Sequence, residues 1–217
     1  MIININKPIS WSSFDVVKKI KSITNYKKVG HGGTLDPFAS GVLIIGTDRD
    51  TKKLTSITNS DKTYEAKLEL GKTTKTLDTE GEIISKMAIP QIKSSSIISI
   101  FNTFLGRQKQ IPPMFSAKKH KGIRLYKLAR KNIEVERKEI DIIINKLYLI
   151  DYNKSSIKFG VECSKGTYIR VLGKDIALKM GTIGYLSSLK RTKVGNYLID
   201  ESLSIESFQD QWKSIKN

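Results

Sequence analysis

The sequence predicts an α+β fold, a mixed and largely antiparallel sheet flanked by helices. Strand-like segments outnumber helical ones, most follow one another through turn residues, and hydrophobic residues make up 39% of the 217, enough for a substantial core. No Pro-, Gly- or Ser-rich linker interrupts them, so residues 1–217 read as a single domain.

Residues 2–5 form a short strand closed by Lys7-Pro8. Ser12 or Ser13 then caps a helix whose apolar positions Phe14, Val17, Ile20 and Ile23 recur at helical spacing, with Lys18, Lys19 and Lys21 on its other face. Val-Leu-Ile-Ile between Gly41 and Gly46 is too short for a helix and apolar on both faces, the pattern of a buried strand. Residues 49–59 read as a helix with Leu54 and Ile57 inward, and residues 62–70 as a strand on which Tyr64, Ala66, Leu68 and Leu70 share one face. A polar, turn-rich segment at 73–81 leads to a strand at 82–85 and a helix over 94–105 with Ile97, Ile98, Phe101 and Leu105 inward. Strands 140–152 and 156–163 form a hairpin about Asn153 and Lys154. A helix over 169–180, a basic strand over 186–197 and a helix over 205–215 complete the chain.

Lysine and arginine outnumber acids 38 to 21, a formal charge of +17, which points to a polyanionic partner. The chain is also rich in Ile, Lys, Asn and Ser, and compositional drift accounts for part of that lysine. Residues 107–138 concentrate it: Lys118, Lys119, His120, Lys121, Arg124, Lys127, Arg130 and Lys131 interleave with Phe115, Tyr126 and Leu128. Such a mixture suits a surface that grips phosphates while bases stack on rings, and a solvated amphipathic helix has the same spacing. No window is apolar enough to span a bilayer and no signal peptide precedes the first strand, so a cytoplasmic protein is expected. The single Cys163 excludes an internal disulfide and a cysteine-rich metal site.

The stretch Gly-His-Gly-Gly-Thr-Leu-Asp-Pro-Phe-Ala-Ser-Gly over 30–41 has neither helical nor strand periodicity. Its glycines allow a close ligand approach or positive φ, and Pro37 stiffens the chain after Asp36. Only His31 and Asp48 stand near Asp36 as further metal ligands, which is too few for a metal site, and no second acid is placed for glycoside hydrolysis. Asp36 is then either a turn cap or a lone nucleophile kept ionised by an arginine from elsewhere in the chain.

Extended by Val-Leu, this stretch resembles the signature of the TruB family of tRNA pseudouridine synthases, close to Gly-His-(Gly/Thr)-Gly-Thr-Leu-Asp-Pro-x-Ala-(Thr/Ser)-Gly-Val-Leu. Asn6-Lys7-Pro8 with Trp11, Ser12 and Ser13 is similar to the family's opening, Thr51-Lys52 to its Ala-Thr-Lys, and residues 61–66 to its lysine-x-tyrosine strand. Thr74, Thr76, Asp78 and Gly81 match a Thr-x-Thr-x-Asp-x-x-Gly turn, and residues 110–118 match Gln-x-Pro-Pro-x-(Tyr/Phe)-Ser-Ala-x-Lys. Cys-Ser-Lys-Gly-Thr-Tyr-Ile-Arg at 163–170 and Leu-Lys-Arg-Thr-Lys-Val-Gly at 189–195 continue the series in the family's order.

The resemblance implies the pseudouridine synthase catalytic fold and conversion of uridine 55 in the tRNA T-loop to pseudouridine, with the base flipped out and neither cofactor nor metal. It makes Asp36 the nucleophile, acting at the sugar C1′ or in forming a glycal, and pairs it with Arg170. Tyr64 stacks on the base and helps remove the C5 proton. His31 lies beside the flipped base, and Gly32, Gly33 and Thr34 join it in binding the substrate; Tyr168 and Leu189 line the uracil pocket, and Asp78 stands near the active-site rim. Residues 107–138 become a thumb insertion that closes over the T-arm, with Lys118, Lys119 and Arg124 on phosphates. The implied partner is tRNA, bound by a monomer with no protein partner and no membrane. A non-catalytic RNA-binding or tRNA-folding protein on the same scaffold is the alternative.

Some positions depart from the family pattern. Ser10 and Asn132 replace common glycines, and Ile140-Asp141 replaces Arg-Pro. Asn132 suits a left-handed backbone, whereas Ile140 removes a phosphate contact. The sequence ends soon after Gly195, where many members continue into a C-terminal RNA-binding domain of PUA type, so a minimal version without it is expected.

Overall fold

The computed structural model describes residues 1–216. Its first elements are β1 (Ile2–Lys7), α1 (Ser13–Thr24), β2 (Val29–His31), β3 (Ser40–Thr47), α2 (Leu54–Asn59), β4 (Lys62–Leu70), β5 (Lys72–Thr74), β6 (Ile83–Lys86), α3 (Ser94–Asn102) and β7 (Gly106–Gln110). The remainder are β8 (Lys119–His120), β9 (Ile123–Arg124), α4 (Leu125–Ala129), β10 (Ile140–Tyr152), β11 (Ser156–Cys163), α5 (Ile169–Lys179), β12 (Gly184–Val194), β13 (Tyr197–Leu198) and α6 (Ile205–Lys216). Strand pairing is mixed: β1/β3, β2/β3, β10/β11, β10/β7 and β12/β13 are antiparallel, and β12/β3 is parallel. With helices flanking the strands, this is the expected α+β architecture. The chain forms two compact units, Met1–Glu65 with the chain from Leu189 onward, and Ala66–Ser188; β4 and β12 each run through the boundary.

In the first unit the strand order is β1-β3-β12-β4, with β2 also on β3. Leu43 and Ile45 of β3 face α1 and α6 with Ile3, Ile5, Val16, Val17, Ile20 and Phe208, while Val42 and Ile44 face Leu54, Ile57 and Val194. Helices on both sides explain why this strand is apolar on both faces. A capping box starts α1: the Ser12 hydroxyl accepts from the Asp15 N–H, and the Asp15 carboxylate accepts from the Ser12 hydroxyl and from the Ser12 N–H, which together hold the Asp15 carboxyl below its usual range. The buried stripe is Ser13, Val16, Val17, Ile20 and Thr24. Phe14, expected inward, lies at the edge of that stripe and is 59% exposed beneath the Lys18 ammonium. Residues 49–59 also differ from the continuous helix expected, since a 3₁₀ segment (Asp48–Lys53) precedes α2.

In the second unit β12, β4, β11, β10 and β7 are neighbours in that order. Ile97 and Phe101 of α3 are buried, and Phe101 meets Phe159 edge-on. Ile98 and Leu105, expected inward, are exposed. The helix stops at Asn102, so its apolar face is the single Ile97–Phe101 row, and Phe104 rather than Leu105 turns inward. Gly173 of α5 packs on Leu186 and Leu68, where a Cβ would lie 2.8 Å from the Leu186 methyl.

Candidate active site

The first unit displays Asp36 on a loop held almost wholly through its backbone. His31 ends β2, opposite Ile45 of β3, so it stands on a strand edge and not within the loop. The Gly32 N–H then donates to the Ile44 carbonyl at 2.8 Å, and the chain leaves the sheet. Four buried groups fix the loop beyond that point. The Ser13 hydroxyl donates to the Leu35 carbonyl at 3.0 Å and accepts from the Leu35 N–H at 2.8 Å. The Lys7 ammonium, fully buried, donates to the carbonyls of Pro8, Trp11 and Pro37. The Arg191 guanidinium, 1% exposed, donates to the carbonyls of Val42 at 2.7 Å and of Thr34 and Gly33 at 3.2 Å. The last is Leu35 itself, 3% exposed, which plugs the loop into the core.

Carbonyls at 33, 34, 35 and 37 are thus all engaged on the protein side, and Asp36 stands half-buried between them. Charged donors make such bonds about twice as strong as neutral ones. Gly41 closes the construction: it pairs with Arg191 at φ +110°, and a Cβ there would lie 2.2 Å from the Arg191 carbonyl oxygen. Ser10, whose N–H donates to the Pro37 carbonyl, sits at φ 69°, the left-handed conformation that accounts for a glycine in the family pattern. Tyr64 lies on the buried face of β4, as expected, 8% exposed, and Leu189 of β12 is 6% exposed.

The second unit brings Asp78, Tyr168 and Arg170 together. Asp78 is 2% exposed; its carboxylate accepts from the Thr76 hydroxyl and from the Glu80 N–H, and meets the Arg170 guanidinium at 3.3 Å. Arg170 also donates to the Thr76 carbonyl at 2.6 Å and the Phe115 carbonyl at 2.7 Å. The turn that carries Asp78 is tight, for a Cβ on Gly81 would lie 2.5 Å from the Thr76 hydroxyl. Tyr168 caps α5, and its N–H and carbonyl are both bonded to the buried amide of Gln110.

The basic segment leaves the sheet at Gln110 and returns at Ile140, residues paired directly across β7 and β10. Residues 107–110, assigned to the insertion on sequence, are therefore strand, and the excursion is 111–139. It carries a small hairpin, β8/β9, whose turn residues Lys121 and Gly122 have φ 46° and 83°, followed by α4. Leu125 and Ala129 anchor it inward, while Lys118, Lys119 and Arg124 are exposed. Asn132 has φ 55°, left-handed as its residue type allowed. Among the described residues no cluster of three or more His, Cys, Asp or Glu is placed to hold a metal ion, and no helix is long and apolar enough to cross a membrane.

Lys7, Ser13, Arg191 and Gln110 all lie within motifs legible in the sequence, but nothing there assigns them to positioning work. Lysine and arginine are rarely fully buried, so their default reading is exposed.

This fold is shared with a chain of a solved Cbf5–Nop10–Gar1 complex at a TM-score of 0.79 and 27% identity, over 100% of this chain and 55% of that one. The fold is that of the pseudouridine synthases. More narrowly, the model of the TruB family pseudouridylate synthase (N terminal domain) matches residues 21–169, and the chain belongs to that family. Curated relatives carry it across nearly the whole sequence. A tRNA pseudouridine synthase B of Mycoplasma mobile is 44% identical over 93% of this chain and 71% of its own. One of Ureaplasma urealyticum is 42% identical over 99% of this chain and 94% of its own.

Proposed function

We propose that this protein converts uridine to pseudouridine in tRNA, at position 55 of the T-loop. The observation that carries the proposal is the family's signature loop, intact and built so that buried Ser13, Lys7 and Arg191 occupy its carbonyls while presenting Asp36. The reaction breaks the bond from C1′ to N1 of uracil and makes one from C1′ to C5. The C5 proton leaves and N1 gains one, so the product is an isomer.

Asp36 is assigned as nucleophile with Arg170 as its cationic partner in the reaction, and Tyr64 as the ring that stacks on the base and helps move the C5 proton. His31, Gly32, Gly33, Thr34, Asp78, Tyr168 and Leu189 are assigned to the bound nucleotide. A stacked uridine is out of reach of any of them, so the base must flip at a cost of a few kcal/mol, which backbone contacts to the RNA offset. The insertion over 111–139 is assigned that grip, with Lys118, Lys119 and Arg124 on phosphates. Residues 1–217 act on this reading as one catalytic domain, a single chain working in the cytoplasm on the T-arm of tRNA.

The test is incubation with an unmodified tRNA transcript and mapping of pseudouridine at single-nucleotide resolution. Product at uridine 55 is expected, and Asp36→Asn is expected to abolish it while tRNA binding persists. Binding without product in the wild type would overturn the assignment.

A further inference from the structure

We propose that Gln110 is a positioning residue of this reaction, tying the root of the insertion to Tyr168 and Arg170. The inference rests on the assignment of those two residues to the uridine site. Gln110 is the last residue of β7, directly opposite Ile140 where the insertion returns, and it is 4% exposed. Its side chain makes a two-point contact that imitates strand pairing: the amide oxygen accepts from the Tyr168 N–H at 2.8 Å, and the amide nitrogen donates to the Tyr168 carbonyl at 3.1 Å. That carbonyl also accepts from the N–H groups of Val171 and Leu172, so Gln110 holds the first turn of α5 at its cap.

Arg170, in the same turn, is fixed from the same side, for its guanidinium donates to the carbonyl of Phe115 five residues beyond Gln110. Pro112 and Pro113 lie between, with φ fixed by their rings. The insertion root and the start of α5 are thus joined twice through a short, stiff segment. A change in the insertion's seating must reach Tyr168 and Arg170, and the amide at 110 serves both Tyr168 groups where a carboxylate of the same length, which accepts but does not donate, serves one.

The experiment compares wild type with Gln110→Met, which keeps volume and removes both bonds, and Gln110→Glu, which keeps the acceptor and loses the donor. Single-turnover rate at saturating enzyme and Kd for unmodified tRNA are measured at one salt concentration, with thermal unfolding as a check on folding. The saturating rate should fall roughly tenfold or more in Gln110→Met and less in Gln110→Glu, with Kd changed by less than about threefold. Should the Met variant fail to fold, the Glu variant decides by the same criterion. An unchanged saturating rate, with or without a raised Kd, would make Gln110 an anchor of the insertion alone and overturn the proposal. Absence of product from the wild type is a different result, which removes the assignment of function beneath it.

Discussion

Two buried arginines, one in each compact unit, have the same side chain and nearly the same exposure, 1% for Arg191 and 3% for Arg170, yet they do different work. Arg191 meets main chain at each of its three hydrogen bonds and so converts a buried charge into loop geometry. Arg170 donates to two carbonyls and also meets the Asp78 carboxylate. A buried cation on carbonyls fixes a conformation; a buried cation shared with an acid also makes each partner depend on the other's charge. A second-site change can compensate the loss of one and not the other.

The largest stability effects should break along that line. Arg170→Met strands Asp78 at 2% exposure and should cost about 3–5 kcal/mol as well as all activity. Adding Asp78→Asn keeps the acceptor for Thr76 and Glu80 and removes the stranded charge, so denaturant unfolding should recover part of the loss while activity stays absent. Arg191→Met leaves the buried Val42 carbonyl and the part-buried carbonyls of Thr34 and Gly33 without their donor and should cost on the order of 2 kcal/mol, with no acid whose neutralisation restores it. If Asp78→Asn rescued Arg191→Met as well as it rescues Arg170→Met, the contrast between the two would be lost.

Sequence makes one side of this comparison legible and hides the other. The loop that carries Asp36, the buried strand after it, the Tyr64 face of β4 and the long hairpin are all written locally, in glycine placement, apolar runs and period-two alternation; the structure has them where expected except that both ends of the 30–41 stretch are strand, residues 30–31 in β2 and 40–41 in β3. Phe14 and Ile98 depart from their expected faces because apolar residues at the margin of a short helix satisfy the periodicity without lying on its buried row, and Leu105 departs because α3 ends three residues before it. Arg191 is invisible as a support because its partners are carbonyls more than a hundred residues away, and carbonyls have no sequence signature. Arg170 is reached only through the family resemblance, and its contact with Asp78 comes from the structure.

Smaller effects belong to the exposed side of the second unit. Lys118, Lys119 and Arg124 lie in solvent on the insertion, so replacing them with Ala should move stability by less than about 0.5 kcal/mol. If they contact phosphates, each neutralised contact should lower the slope of log affinity against log salt by about 0.7–0.9, steeper for duplex than for single-stranded RNA. Filter binding across a salt series measures it. An unchanged slope would make this face ordinary solvated surface and return the comparison to the buried groups alone.

The smallest effect separates two residues that both stand where the family commonly has glycine. Ser10 in the first unit and Asn132 in the second have φ of 69° and 55°. Serine resists the left-handed region, whereas asparagine tolerates it through its short amide, and the Asn132 side-chain oxygen also accepts from Lys75 at 2.7 Å. Ser10→Gly relieves strain of about 1 kcal/mol against a rather smaller gain in unfolded-chain entropy, so a net stabilisation of a few tenths of a kcal/mol is expected. Asn132→Gly loses the Lys75 contact and relieves little, so it should be neutral or slightly destabilising. Opposite signs in paired thermal melts would show that the first unit still carries backbone strain beside the Asp36 loop, where Ser10 bonds Pro37, while the insertion has already shed its own.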